Sequence, residues 1–183
     1  MRVISGRAKG KKLNAPKGDD IRPTSDKIKE AIFSKLQQEI ADATFVDLFS
    51  GSGAMGIEAL SRGAKKVYFC DKSKSSRLLT LKNLQSCSFD AGEYEFLSGD
   101  YKTCIKRMHQ DGVRGDIVYI DPPYQMEDIE NIFNVLYDFP ISEDGLILLE
   151  HDRKRTIAVS DECFTRTESK KYGTTMVSFY RKR

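Results

Sequence analysis

Phe45-Val46-Asp47-Leu48-Phe49-Ser50-Gly51-Ser52-Gly53-Ala54-Met55-Gly56 is the stretch that decides the fold. Its first five residues are apolar except for Asp47 and read as a buried strand. The glycines that follow signal a tight turn. Apolar and small residues then continue to about Arg62, where Gly63 supplies a helix-ending residue. Strand, glycine-rich turn and helix in this order open a β–α–β unit, whose next strand must lie parallel to the first.

The same alternation repeats outward from this stretch. Val67-Tyr68-Phe69-Cys70 is a second strand closed by Asp71, followed by a helix over about 73–86 with Leu78, Leu81 and Leu84 among its apolar positions. Tyr94-Glu95-Phe96-Leu97 is a third strand ending near Asp100, and a helix follows near 101–110. Asp116-Ile117-Val118-Tyr119-Ile120 is a fourth, ending in Asp121-Pro122-Pro123-Tyr124. A helix over about 127–138 leads to a fifth strand at 145–150. Residues 156–159 and 176–180 read as two more strands, with Tyr172-Gly173 as a turn. Five β–α alternations predict a mostly parallel, seven-stranded α/β sheet with helices on both faces and an antiparallel C-terminal hairpin at one edge. Toward the N-terminus, Ile28, Ile32, Leu36 and Ile40 recur every fourth residue, which predicts an amphipathic helix over about 25–41 with Thr24 as its N-cap. Residues 2–17 read as a small β-hairpin turning at Lys9-Gly10-Lys11. The expected organisation is a basic N-terminal arm over residues 1–22 and one α/β domain over 23–183.

The 183 residues, 39% hydrophobic and 31% charged, suffice for one core without disulfide or metal staples. The longest aliphatic run, Leu146-Ile147-Leu148-Leu149, is far short of the about 20 residues a bilayer span needs. No apolar stretch follows the basic start, so neither a secretory signal nor membrane association is expected. Cys70, Cys87, Cys104 and Cys163 form no C-x-x-C pair and read as reduced, packed thiols of a cytoplasmic protein, with no metal site. Net charge is +3, yet residues 1–18 hold six basic side chains (Arg2, Arg7, Lys9, Lys11, Lys12, Lys17) and no acid. The other 24 basic residues face 27 acids, so the whole surplus lies in the arm. A basic patch on a near-neutral body is the footprint expected of a phosphate-binding surface.

In open α/β sheets, ligands bind at the carboxyl ends of the strands, so the polar residues there carry the chemistry. Gly51-x-Gly53-x-x-Gly56 fits the dinucleotide fingerprint, with Ser52 inside the loop and Asp71 twenty residues after Gly51, where an acid accepts both ribose hydroxyls. This points to an adenosine-containing cofactor. Asp47 tilts the choice from NAD to S-adenosylmethionine, because a cationic ammonium and sulfonium benefit from a nearby carboxylate. Asp121-Pro122-Pro123-Tyr124 tilts it further. An exocyclic amine of a nucleobase is a poor nucleophile, its lone pair being delocalised into the ring. The Asp121 carboxylate and the Pro122 carbonyl can accept its two N–H groups and free that lone pair, and the prolines fix the turn. Tyr124 offers a ring on which an unpaired base stacks.

The chain resembles a known family. Asp47-Leu48-Phe49-Ser50-Gly51-Ser52-Gly53 and Asp121-Pro122-Pro123-Tyr124 resemble two signature motifs of class I amino-methyltransferases. Arg2-Val3-Ile4-Ser5-Gly6, Arg22-Pro23-Thr24, the run from Gly56 to Ala64 and Lys171-Tyr172-Gly173 together resemble the RsmD family. The resemblance implies a Rossmann-like class I methyltransferase fold that methylates the N2 amine of a guanine in 16S ribosomal RNA, within the 30S subunit or an assembly intermediate. It implies that Gly51 and Gly53 line the methionine end of S-adenosylmethionine, Asp71 binds the ribose and Asp100 the adenine amine, and that Asp121 to Tyr124, Pro123 included, hold the target guanine. Arg2, Arg7, Lys9, Lys11 and Lys12 would dock the RNA. Arg22 and Thr24 are expected near the cofactor mouth, Arg22 toward substrate and Thr24 toward cofactor, and Glu58 and Arg62 as a helix-surface ion pair. Two departures stand out: Asp71 where the family commonly has Glu, and Lys29 where Arg is common, which loses a bidentate phosphate contact. A monomer is expected. An adenine-N6 methyltransferase would use the same tetrapeptide. A NAD oxidoreductase would need only the glycine loop, and a noncatalytic RNA-binding protein would not need Asp121.

Overall fold

The alternation becomes a single seven-stranded sheet in the computed structural model of the chain, which describes residues 1–16, 26–160 and 162–183. In chain order the elements are α1 (Asp26–Lys35), β1 (Thr44–Asp47), α2 (Ala54–Ser61), β2 (Lys66–Asp71), α3 (Lys74–Ser86), β3 (Tyr94–Ser98), α4 (Tyr101–Gln110), β4 (Gly115–Ile120), α5 (Glu130–Tyr137), β5 (Ile141–Asp152), β6 (Phe164–Tyr172) and β7 (Thr175–Lys182). The strand order is β3-β2-β1-β4-β5-β7-β6. Strands β1 to β5 are parallel, and β7 runs antiparallel between β5 and β6. From β1 the chain winds out one way to β3, then returns to β4 on the other side of β1. The β1/β4 junction is therefore the switch point at which such sheets open a binding crevice.

Side-chain alternation along the central strands feeds two cores. Phe45, Phe69 and Leu148 pack under α1 and α2 on one face, while Val46, Val118 and Ile147 pack under α4 and α5 on the other. Three local expectations change. The first helix ends at Lys35, although Leu36 and Ile40 stay buried in the turns beyond it. In α3 the inward face is Thr80, Asn83 and Leu84, and Leu78 is 69% exposed. Residues 156–159 are not a strand: Ile157 packs into the second core from an irregular segment, and the hairpin partner of β7 is β6. The sequence hides β6 because it is an edge strand, almost wholly polar after Phe164, as unpaired edges tend to be.

The N-terminal arm is a hairpin seated on the first core. Arg2 bridges Lys12, and the Val3 N–H donates to the Lys11 carbonyl at 2.9 Å. Val3, Ala8 and Leu13 are buried, the valine and leucine contributing about 1.5–3 kcal/mol each. Gly6 is required where the arm crosses the end of α2: its φ is +80°, and a Cβ there would lie 1.8 Å from the Ser61 carbonyl oxygen. No helix among the described residues is long and apolar enough to cross a membrane.

Candidate active site

The glycine loop is held by side chains from three elements. Gly53, at φ +76°, caps α2. The Asp71 carboxylate at the end of β2 accepts the Gly51 N–H at 2.9 Å and the Ser73 N–H at 2.8 Å, so it locks the loop to its neighbour. Asp47, 1% exposed, accepts the Gly56 N–H at 3.1 Å from beneath. From α3, the Thr80 hydroxyl donates to the Gly51 carbonyl at 3.1 Å and the Asn83 amide to the Ser52 carbonyl at 2.9 Å. Sequence reading missed Thr80 and Asn83. Their signal was two polar residues three apart on a helix whose inner face ought to be apolar.

The three glycines have different reasons. A Cβ on Gly53 would meet Thr80 at 2.7 Å and one on Gly56 would meet Phe69 at 2.3 Å, so packing demands both. At Gly51, whose φ is +53°, a Cβ would meet nothing within 4 Å. The loop is thus tight on its protein side and open at Gly51. That open flank, with two carboxylates below it, fits a cationic adenosyl ligand. Burial pushes the Asp47 carboxyl up to about 7, the Gly56 amide opposing and the Asp71 charge adding. A cation brought to the loop would favour the ionised form. Asp100 stands exposed as the N-cap of α4, accepting the Thr103 N–H at 2.8 Å, which holds its pKa below the usual carboxylate value.

Asp121-Pro122-Pro123-Tyr124 leaves β4 at the same end of the sheet, beside β1. Pro122 is buried, Asp121 half-buried and Tyr124 61% exposed, its ring available for stacking. The Met126 N–H donates to the Pro123 carbonyl at 2.9 Å and closes the turn. Glu150, His151 and Arg155 line the same hollow. The Tyr119 hydroxyl donates to Glu150 at 2.6 Å, tying β4 to β5 just before Asp121. Arg155 donates to the Met126 and Glu127 carbonyls and fixes the loop after the tetrapeptide. Sequence reading missed both. Glu150 was readable in principle, since it ends an apolar strand as Asp47, Asp71 and Asp121 do. Arg155 was not.

The arm residues are spread rather than gathered. The hairpin runs along α2, with Met1 near Ser52 and its tip at Ser61. Arg7, at that tip, pairs with Glu93 and lies over the Phe89 ring, about 12 Å of helix away from the glycine loop. Lys9, Lys11 and Lys12 are exposed, and Arg2 approaches Asp26 at 3.8 Å. Arg22 and Thr24, like Lys17, lie outside the described residues.

Glu58 and Arg62 do pair, at 2.8 Å, but not on the surface: Glu58 is fully buried and also accepts the N–H groups of Ile4 and Ser5. Lys29, 1% exposed, completes this cluster at 3.4 Å from Glu58 and donates to the Arg2 carbonyl. Burial pushes the Lys29 ammonium down, against the pull of Glu58 and Asp26. Lys29 is an anchor of the arm, so its difference from Arg bears on arm seating and not on a phosphate contact.

The strand order, the glycine loop after β1 and the antiparallel β7 define a class I methyltransferase fold. The solved structure described as "Putative methyltransferase yhhF from Escherichia coli" superposes with a TM-score of 0.84 at 29% identity, covering 100% of this chain and 98% of that one. Two relatives are similar in sequence. "Putative rRNA methyltransferase YlbH" of Bacillus subtilis is 35% identical over 100% of both chains. "Ribosomal RNA small subunit methyltransferase D" of Escherichia coli is 32% identical over 83% of this chain and 75% of its own. The chain matches the family model described as Conserved hypothetical protein 95 over residues 1–181, and it belongs to that family, the RsmD family that its motifs resemble.

Proposed function

We propose that this protein transfers a methyl group from S-adenosylmethionine to the exocyclic N2 amine of a guanine in small-subunit (16S) ribosomal RNA, in the cytoplasm, with the 30S subunit or an assembly intermediate as substrate. Methyl transfer to ribosomal RNA is the coarser part of this reading and follows from family membership and from the relatives' names. The observation that carries the site is the β1/β4 junction, which sets the open glycine loop beside Asp121-Pro122-Pro123-Tyr124.

S-adenosylmethionine supplies a methyl group carried on a positively charged sulfur. The chain's own residues bind and orient. Gly51, Ser52 and Gly53 take the methionine end, and Asp47 supplies negative charge beneath it. Asp71 takes the ribose hydroxyls with acceptor capacity left over from its two backbone bonds. Asp100 takes the adenine amine. The Asp121 carboxylate and the Pro122 carbonyl accept the N–H groups of the target amine and turn its lone pair out of the ring, while Tyr124 stacks on the extruded base. Thr24 is assigned to the cofactor side. Pro123 and Arg22 are assigned to the substrate side, with Arg2, Arg7, Lys9, Lys11 and Lys12 as RNA-facing charge on the arm.

The test is methyl transfer from labelled S-adenosylmethionine to small subunits from cells lacking this gene, followed by digestion to nucleosides. Label in N2-methylguanosine is expected. Label in N6-methyladenosine would keep the mechanism and move the target, and no label on subunits or naked RNA would overturn the reading.

A further inference from the structure

The irregular segment at 153–160 crosses the β5–β7–β6 edge and leaves an open cleft of about 570 Å³ beneath it, within the size range of ligand-binding clefts. Its walls carry Arg153 and Arg155 from the crossing segment, Arg166 from β6, and His151 at the end of β5. The cleft adjoins the Asp121–Tyr124 hollow, for His151 and Arg155 line both. Its charge is one-sided. The acid in its wall, Glu168, is already paired with Lys35 and Lys170. Arg155 is 3.9 Å from Glu130 and is engaged with backbone carbonyls. No ion pair joins Arg153 or Arg166 to a carboxylate among the described residues, and both are exposed. Burial pushes the His151 imidazole down, Arg155 and Arg166 adding and Asp152 opposing through its carbonyl and its charge. Thr156 lines the same space, while the Thr167 hydroxyl donates to the Phe179 carbonyl at 3.3 Å and the Ser178 hydroxyl sits between His151 and Ser169.

We propose that this C-terminal cleft binds the phosphate backbone of the substrate RNA next to the target base. The proposal deepens the rRNA methyltransferase reading and rests on it for the identity of the polyanion. Arginine forks match phosphate oxygens in pairs. A base extruded onto Tyr124 leaves its own phosphates within a nucleotide or so of the hollow, and the cleft lies next to that hollow across His151 and Arg155. The N-terminal arm packs on the opposite face of the sheet, so the cleft is a separate surface and not an extension of the arm.

The experiment measures binding of a 16S RNA fragment by anisotropy across a salt series, alongside methyl transfer to subunits, for wild type and Arg153→Ala/Arg166→Ala. In the variant, RNA Kd and KM should rise about tenfold, more than kcat falls. The slope of log affinity against log salt should become shallower by about 1.4, two single-strand phosphate contacts. S-adenosylmethionine affinity should stay as in wild type. Arg153→Lys/Arg166→Lys should recover most of the salt slope but not all of the affinity. Unchanged Kd and slope in a variant with native circular dichroism would overturn the cleft. Wild-type protein that binds RNA with the cleft-dependent slope but transfers no methyl would leave the cleft standing and overturn the reaction.

Discussion

The N-terminal arm carries its positive charge on neighbouring hairpin residues, Arg2 to Lys12, whereas the C-terminal cleft collects Arg153, Arg155 and Arg166 from a crossing segment and an edge strand. In the sequence the arm is conspicuous and the cleft is invisible. In the fold the arm's charge is spread along α2, with Arg2 and Lys12 paired next to Met1 at the glycine-loop end. Arg7 is engaged with Glu93 and Phe89 at the far end of α2, and the arm's apolar residues are part of the core. Arg153 and Arg166 are exposed in a cleft that shares His151 and Arg155 with the tetrapeptide hollow. Linear charge density tells how much charge a segment has. What that charge faces depends on where the backbone takes it.

Five variants break or sharpen this comparison. Asp121→Ala sets its scale, since it removes an acceptor from the target amine while touching neither basic region. Its kcat should fall about 10³-fold, with RNA Kd nearly unchanged, read by labelled-methyl incorporation and anisotropy. Gly6→Ala breaks the arm alone: the clash with Ser61 and the positive φ should lower stability by about 3 kcal/mol, seen in chemical denaturation.

Asp47 belongs to neither region, and burial pushes its carboxyl up to about 7 in the fold against 3.8 in the free residue. A raised folded pKa favours the fold at low pH. Its contribution is complete below about pH 4 and is lost as pH rises to about 7, at roughly 1.4 kcal/mol per pH unit. Unfolding free energy without cofactor should show that slope. Asp47→Asn should flatten it, and so should saturating S-adenosylmethionine if its charge ionises Asp47. A slope identical in wild type and Asp47→Asn would contradict this.

The Arg153→Ala/Arg166→Ala pair, at about tenfold in RNA Kd, should exceed the arm variant Lys9→Ala/Lys11→Ala/Lys12→Ala, at about threefold. The arm variant should also flatten the salt dependence without changing cofactor affinity. If the order is reversed, the arm and not the cleft is the main phosphate contact. RNA binding untouched by the arm variant would remove the arm from the interface.

Much of the glycine-loop half of the candidate site was legible before the structure. Gly51, Gly53, Asp47 and Asp71 are local to strand ends, and strand ends follow from apolar runs. The partners that hold the loop, Thr80 and Asn83, were not. A buried polar residue looks like a solvated one until its bonding partner is known. Leu78 shows the same difficulty from the other side, being apolar in sequence and exposed in place.

The sequence by itself determined the parallel alternation, the glycine turn, the rigid tetrapeptide and the family, because each rests on residues close together in the chain. Tertiary structure alone decided that the arm is bolted to α2 through Glu58 and Lys29, that β6 rather than residues 156–159 pairs with β7, and that Arg153, Arg155 and Arg166 share one cleft. Those outcomes depend on which segments the fold packs together. Burial and unpaired charge are properties of that packing and not of residue type.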